Sequence, residues 1–177
     1  VQVVATPEGG LPGSSRALEV QTLNSGIPGF RNNKVEQDDL VVNGVGQVGE
    51  IPVAEIPSIV ARVYLPAPEK WEARSGPHFG FRGTTTTTKI TTEMKRINRF
   101  RSRPETKRER EQYWPGIWVH FRSSSDQANN EDSAFLTVRG NRLGHDFTVR
   151  EIPLSEFGWW TMGMSFTSDG MVHYYAK

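Results

Sequence analysis

The chain has 177 residues and carries 21 Lys and Arg against 20 Asp and Glu, a net charge of +1. The whole molecule therefore gives no electrostatic reason to expect a nucleic acid or an anionic membrane as partner. Absence of cysteine excludes a disulfide framework, a thiolate metal site and a thiol nucleophile, and 17 Gly and 11 Pro at a mean hydropathy of -0.53 exclude a membrane span or helical bundle.

Val1 opens the chain without Met and without a basic, apolar leader, which reads as a processed mature end or as a piece of a longer polypeptide. Both readings favour export to the periplasm, the cell surface or the exterior. A length of 177 residues suits a single sandwich core over 1–177. Strand-like sequence from Val172 to Lys177 at the far end suggests that more chain follows.

In chain order, Ala17 to Leu23 alternates Leu18, Val20 and Thr22 with Glu19 and Gln21, the period of a half-buried strand. Gly, Pro and Asn mark loops on either side, at 8–15 and 24–33. Asp39 to Val45 reads as a second short strand. Ile51-Pro52 and Ile56-Pro57 preclude a central strand between them. Ser58 to Leu65 places Ile59, Ala61, Val63 and Leu65 on one face, and Phe79 to Arg82 is a further candidate.

Thr84 to Thr92 is nearly pure Thr, whose branched Cβ favours extended backbone. The polar, basic stretch that follows reads as part of an insertion over 84–112, with at most a helical turn or two near Ile90 to Phe100. Strand-like runs then come quickly at Ile117 to Arg122, Ala134 to Arg139, Phe147 to Ile152, Trp159 to Thr167 and Met171 to Ala176. Such spacing points to an antiparallel sandwich or barrel.

The last two runs form a hairpin around Ser168-Asp169-Gly170, a three-residue loop that needs Gly170 in the left-handed region. Its register sets Phe166 opposite Val172 and Met164 opposite Tyr174. Trp160, Met162, Met164, Phe166, Val172, Tyr174 and Ala176 then face inward, while Trp159, Thr161, Ser165, Thr167, His173 and Tyr175 face outward. Aromatic rings beside hydroxyl and imidazole groups suit a sugar, whose C–H face stacks on the ring. Trp159, His173 and Tyr175 are accordingly candidate glycan contacts. Trp118, with His120 and Arg122 on the outward side of Ile117 to Arg122, would extend that face if the two strands were neighbours.

The segments SSRALEVQTLN, SIVARVYLPAPEKWEARSGPHFGFR, YWPGIWVHFR and GWWTMGMSFTSDGMVHYYA together resemble the concanavalin A-like lectin and glucanase superfamily. That resemblance implies a jelly-roll sandwich and permits glycan binding. Hydrolases of the superfamily carry a Glu-x-Asp-x-x-Glu cluster, and this chain has none; Glu151 and Glu156 are split by Pro153. The resemblance would also offer Asp38, Asp39, Asp126, Asp132 and Asp146 to calcium, but their spacing is not that of a calcium loop, so no metal is expected.

Lys89, Lys95, Arg96, Arg99, Arg101, Arg103, Lys107, Arg108 and Arg110 stand against Glu93, Glu105 and Glu109 between residues 89 and 110, a local charge of +6. Lys95, Arg96, Arg99, Arg101 and Arg103 are candidate contacts for a polyanion or a partner chain; a solvated insertion is the plainer reading. His78, His120, His145 and His173 lack metal-ligand spacing, and no nucleophile elbow or phosphate-cradling glycine loop is present.

The sequence thus describes an all-β chain, an antiparallel β-sandwich of jelly-roll type with long loops and one basic insertion. It is expected to act outside the cytoplasm as a non-catalytic binding or structural subunit of a larger assembly, with glycan as a candidate ligand. Two alternatives stay open: a polysaccharide lyase or hydrolase of unusual motif using His120, Arg122 and Tyr175, and a polyanion-binding protein working through residues 89–110. Other protein subunits are the expected partners, with no specific nucleic acid, no cofactor and no transmembrane segment.

Overall fold

A computed structural model describes residues 1–22, 39–126, 130–141 and 143–177. Its contacts divide the chain into two units, Val1–Glu55 and Ile56–Lys177. In the first, β1 (Gln2–Ala5) pairs antiparallel with β2 (Arg16–Glu19) from Gln2↔Glu19 to Ala5↔Arg16. The strand expected over Ala17 to Leu23 is thus shorter and begins one residue earlier; Leu23 and the loop at 24–33 fall outside the described residues.

No strand forms over Asp39 to Val45, contrary to the expectation for that segment. Asn43 instead accepts the Gly46 N–H at 3.0 Å, and Val45–Val48 makes one helical turn, α1. A local side-chain bond of this kind competes with extended pairing. After Ile51-Pro52, Val53–Glu55 makes a 3-10 turn.

The second unit holds β3 (Ser58–Leu65), β4 (Gly76–Arg82), β5 (Thr85–Arg96), β6 (Ser102–Tyr113), β7 (Gly116–Arg122), β8 (Ser133–Arg139), β9 (Asp146–Ile152), β10 (Gly158–Phe166) and β11 (Val172–Ala176). Two antiparallel sheets, in the orders β11-β10-β3 and β4-β7-β8-β9, share one core. Leu65, Trp160 and Met162 come from the first sheet, and Ile117, Val119, Phe121, Ala134, Leu136 and Ile152 from the second. Alternation explains the choice: on β7, Ile117, Val119 and Phe121 are buried while Trp118, His120 and Arg122 point out. The protein is therefore an all-β antiparallel sandwich.

The Thr-rich run is extended, as its branched side chains require, but no helical turn follows it. β5 continues to Arg96, and the basic stretch returns as β6, a strand that its polarity concealed. A single register runs from Phe79↔Val119 in the sheet, through Arg82↔Gly116 and Thr85↔Tyr113, to Arg96↔Ser102. The Gly83 N–H bond to the Pro115 carbonyl, 3.0 Å, spans the junction. The expected basic insertion is thus the β4–β7 pair prolonged by 12 residues per strand, about 40 Å of ribbon.

The terminal hairpin has the expected register, with Phe166↔Val172 and Met164↔Tyr174. Trp160, Met162, Met164 and Phe166 are buried and Tyr175 is exposed. Tyr174 faces inward and donates its hydroxyl to the Arg139 carbonyl at 2.7 Å; burial raises its pKa. Ala176 keeps the inward parity but is exposed, since β11 is an edge strand. The Asp169 carboxylate accepts the Thr167 hydroxyl and the Met171 N–H, closing a loop in which Gly170 has φ of 84°. Gly170→Val should lower stability by about 1–2 kcal/mol. Urea denaturation checks this; an unchanged midpoint would show that the turn tolerates a branched Cβ.

Candidate functional site

Because the inner faces of the two sheets make one core, their outer faces point in opposite directions. Trp159, His173 and Tyr175 lie on the outer face of the three-stranded sheet, and Trp118 on that of the four-stranded one. The continuous platform considered for these four residues does not form.

On the three-stranded sheet the outward cross-strand rows are Tyr64–Trp159, Arg62–Thr161, Val60–Gly163–Tyr175 and Ser58–Ser165–His173. Trp159 meets the edge of Tyr64 with ring centroids 5.3 Å apart and lies beneath the Arg62 guanidinium at 5.5 Å. Four residues along β10 separate it from the row of Tyr175, about 13 Å. His173 is near its own loop, with Nε2 3.4 Å from the Thr167 hydroxyl. The outward aromatics are therefore spread along the sheet.

On the four-stranded sheet the Trp118 indole lies flat on the backbone. A Cβ at Gly80 would come within 2.6 Å of its Nε1, and one at Gly116 within 2.5 Å of its Cη2, so glycine at both positions makes the bed for the ring. Arg139 covers the ring from 4.5 Å and is itself held by Asp146 at 2.9 and 3.2 Å. The face of Trp118 is thus occupied from both sides.

Beside it, His120 stacks on Phe135 at 5.4 Å and Arg122 lies 5.3 Å from the same ring. Arg122, Asn130, Glu131, Ser133, Phe135, Thr148 and Glu151 line an open recess of about 490 Å³. Burial lowers the His120 pKa, with Asp146 opposing and His78 assisting. Tyr175 stands on the opposite sheet, so the His120, Arg122 and Tyr175 set is not assembled. Of the aspartates considered for calcium, Asp132 takes the Ser124 N–H at 2.6 Å, Asp146 takes Arg139, and Asp38 lies outside the described residues. Among the described residues no group of three His, Asp or Glu gathers at one point.

The β5–β6 arm has the most ordered arrangement of charge. Its register places Lys89, Glu93, Lys95, Arg103, Glu105, Lys107, Glu109 and Glu111 on one face, four cations with four anions. Lys89–Glu111, Lys95–Glu105 and Lys107–Glu93 pair there at 3.8, 2.9 and 2.8 Å. The other face carries Arg96, Arg108 and Arg110 among Thr86, Thr88, Ile90, Thr92, Met94, Thr106 and Gln112, and its residues include no Asp or Glu. Arg99 and Arg101 sit in the end loop.

The five basic residues singled out in the sequence therefore separate. Arg96 belongs to the arginine face and Arg99 and Arg101 to the tip, whereas Lys95 and Arg103 lie on the charge-balanced face. Arg108 and Arg110 were counted in the basic run 89–110 but not among those five contacts, and Phe100 was not singled out. The alternation Lys107-Arg108-Glu109-Arg110-Glu111 held the signal for the two arginines, once the segment is read as a strand.

No family model, curated protein or solved structure matches the chain. Function then rests on the side chains just described. Among the described residues no helix is long and apolar enough to cross a membrane.

Two measurements probe the four-stranded face. Gly116→Ala should cost about 1–3 kcal/mol by displacing the indole. In a Trp118→Ala background the cost should fall by more than half, and equal costs in both backgrounds would mean that the ring is not what the glycine accommodates. For His120, burial depresses the folded-state pKa, so the unfolded chain binds the proton more readily and stability rises with pH through the usual value of 6.5. Stability should therefore fall between about pH 7 and pH 5, with a flatter fall in His120→Gln; identical profiles would remove His120 as a source.

Proposed function

We propose that this protein is a binding module that docks onto an anionic partner through its β5–β6 arm. The observation that carries this reading is the sorting of charge between the two arm faces. One face neutralises itself through short Lys–Glu pairs, while the other carries Arg96, Arg108 and Arg110 with no Asp or Glu on the same face. Arginine suits such a surface because its planar fork bonds phosphate, sulfate and carboxylate oxygens in pairs. The whole-molecule charge of +1 conceals this local field.

Other readings have less support. Glycan stacking would need an open ring face, and Trp118 lies under Arg139 while Trp159 is distant from Tyr175. The enzymatic alternative needs His120, Arg122 and Tyr175 together, and they stand on opposite sheets. The concanavalin A-like resemblance remains a proposal about the sandwich alone.

Heparin serves as a linear sulfated probe. Arg99→Ser, Arg101→Ser and Arg108→Ser combined should weaken binding on the order of tenfold or more at low salt, and lower the salt slope by about one for each arginine that bonds a sulfate. Lys95→Ser, Arg103→Ser and Lys107→Ser combined make the same change in net charge on the balanced face and should have a much smaller effect. Equal weakening in the two variants would overturn the assignment to the arginine face and tip.

A further inference from the structure

The arm arranges apolar and cationic side chains in a definite order along its length. At its end Phe100 is 89% exposed. The loop around it is built: Asn98 Oδ1 accepts the N–H groups of Phe100 at 3.0 Å and Arg101 at 2.9 Å. The Ile97 N–H donates to the Arg101 carbonyl at 2.9 Å, and Arg96 donates to the carbonyls of Asn98 and Arg99. The turn therefore holds the Phe100 ring out into water at the end of a long ribbon. Arg99 and Arg101 flank it, with the Arg99 guanidinium 5.9 Å from the ring centroid. Ile97 (58% exposed), Met94 (66%) and Arg96 follow immediately behind.

A chain-like polyanion lying along the arginine face would meet Arg96, Arg108 and Arg110 but leave Phe100 in water. A partner anionic at its surface and apolar just beneath it satisfies Arg96, Arg99 and Arg101 near the tip and the ring at once. Resting on the docking reading above, we propose that the partner is a bilayer surface bearing anionic headgroups. Phe100 inserts into it, while Arg96, Arg99 and Arg101 bind the headgroup phosphates and carboxylates. Interfacial insertion reaches about 5–10 Å, the depth that one aromatic side chain on a tight turn can span. Juxtaposed arginines are drawn to an anionic leaflet within a Debye length.

A nucleic acid also places apolar bases beneath phosphates. Its minor groove is only about 6 Å wide, however, and admits wedges between single base steps. The apolar surface here runs back from Phe100 through Ile97 to Met94, which a bilayer interface accommodates without a width limit. Binding is expected to be reversible and salt-sensitive, because one ring and a few cations give only modest membrane affinity.

The test uses the full chain with phosphatidylcholine vesicles, the same vesicles containing phosphatidylserine, heparin, and a random-sequence DNA duplex. Co-sedimentation should detect the parent on the phosphatidylserine vesicles alone of the two, with loss of binding between about 0.1 and 0.5 M salt. Phe100→Ser should lose on the order of tenfold or more of vesicle affinity while keeping its heparin affinity. Phe100→Trp should keep vesicle binding, and its emission should shift to the blue on the anionic vesicles. Circular dichroism matching the parent shows that each variant is folded. Unchanged vesicle binding by Phe100→Ser overturns insertion. Heparin binding without vesicle binding leaves the docking reading intact and removes the lipid. Duplex binding that depends on Phe100 reassigns the partner to nucleic acid, and failure on every probe removes both proposals.

Discussion

Burial of Ile117, Val119 and Phe121 of β7 against Trp160 and Met162 of β10 is the contact on which the second unit depends. It brings two sheets that share no backbone hydrogen bonds into one core. Once it forms, alternation fixes every other assignment: the outward residues of β7 must lie on one outside surface and those of β10 on the other. Hydrophobic area removed from water at about 25 cal/mol per Å² makes slippage of either strand by one residue very costly, because the whole apolar set would turn outward.

The arm inherits its geometry from that core. β4 and β7 are held in register by the sandwich, and β5 and β6 continue the same pairing beyond its edge. An isolated two-stranded ribbon is marginal in water, so the anchored end matters. Branched Thr side chains favour the extended backbone, and exposed Lys–Glu pairs each add little. Their larger effect is on specificity: by matching acid with base on one face they leave the other face and the tip as the local source of positive potential.

The outer face of the four-stranded sheet illustrates how glycine decides the availability of an aromatic ring. Gly80 and Gly116 permit the Trp118 indole to lie flat, and a guanidinium fixed by Asp146 then closes over it. A residue type that often stacks on sugars becomes here part of a cation–π stack on the protein's own surface. The neighbouring recess, with Phe135 between His120 and Arg122, is polar and open.

Period-two alternation was enough to establish the all-β class and the inward and outward sides of β7, and together with the Ser168-Asp169-Gly170 turn it gave the register of the last hairpin and the positive φ of Gly170. These follow from local physics: a half-buried strand must alternate, and only glycine enters the left-handed region without a Cβ clash. Composition misled where burial does not shape the pattern. At Asp39 to Val45 the apolar run Leu40-Val41-Val42 does not form a strand, and Asn43 makes a local turn instead. At Ser102 to Tyr113 an exposed strand looked like a solvated insertion, since neither of its faces needs to be apolar. Tertiary structure alone decided which outward faces are neighbours, that Trp118 and Tyr175 are apart, and that Arg108 shares a face with Arg96 while Lys95 does not. The reason is that strand pairing joins residues distant in the chain, and one sequence pattern is compatible with many pairings until a shared core selects among them.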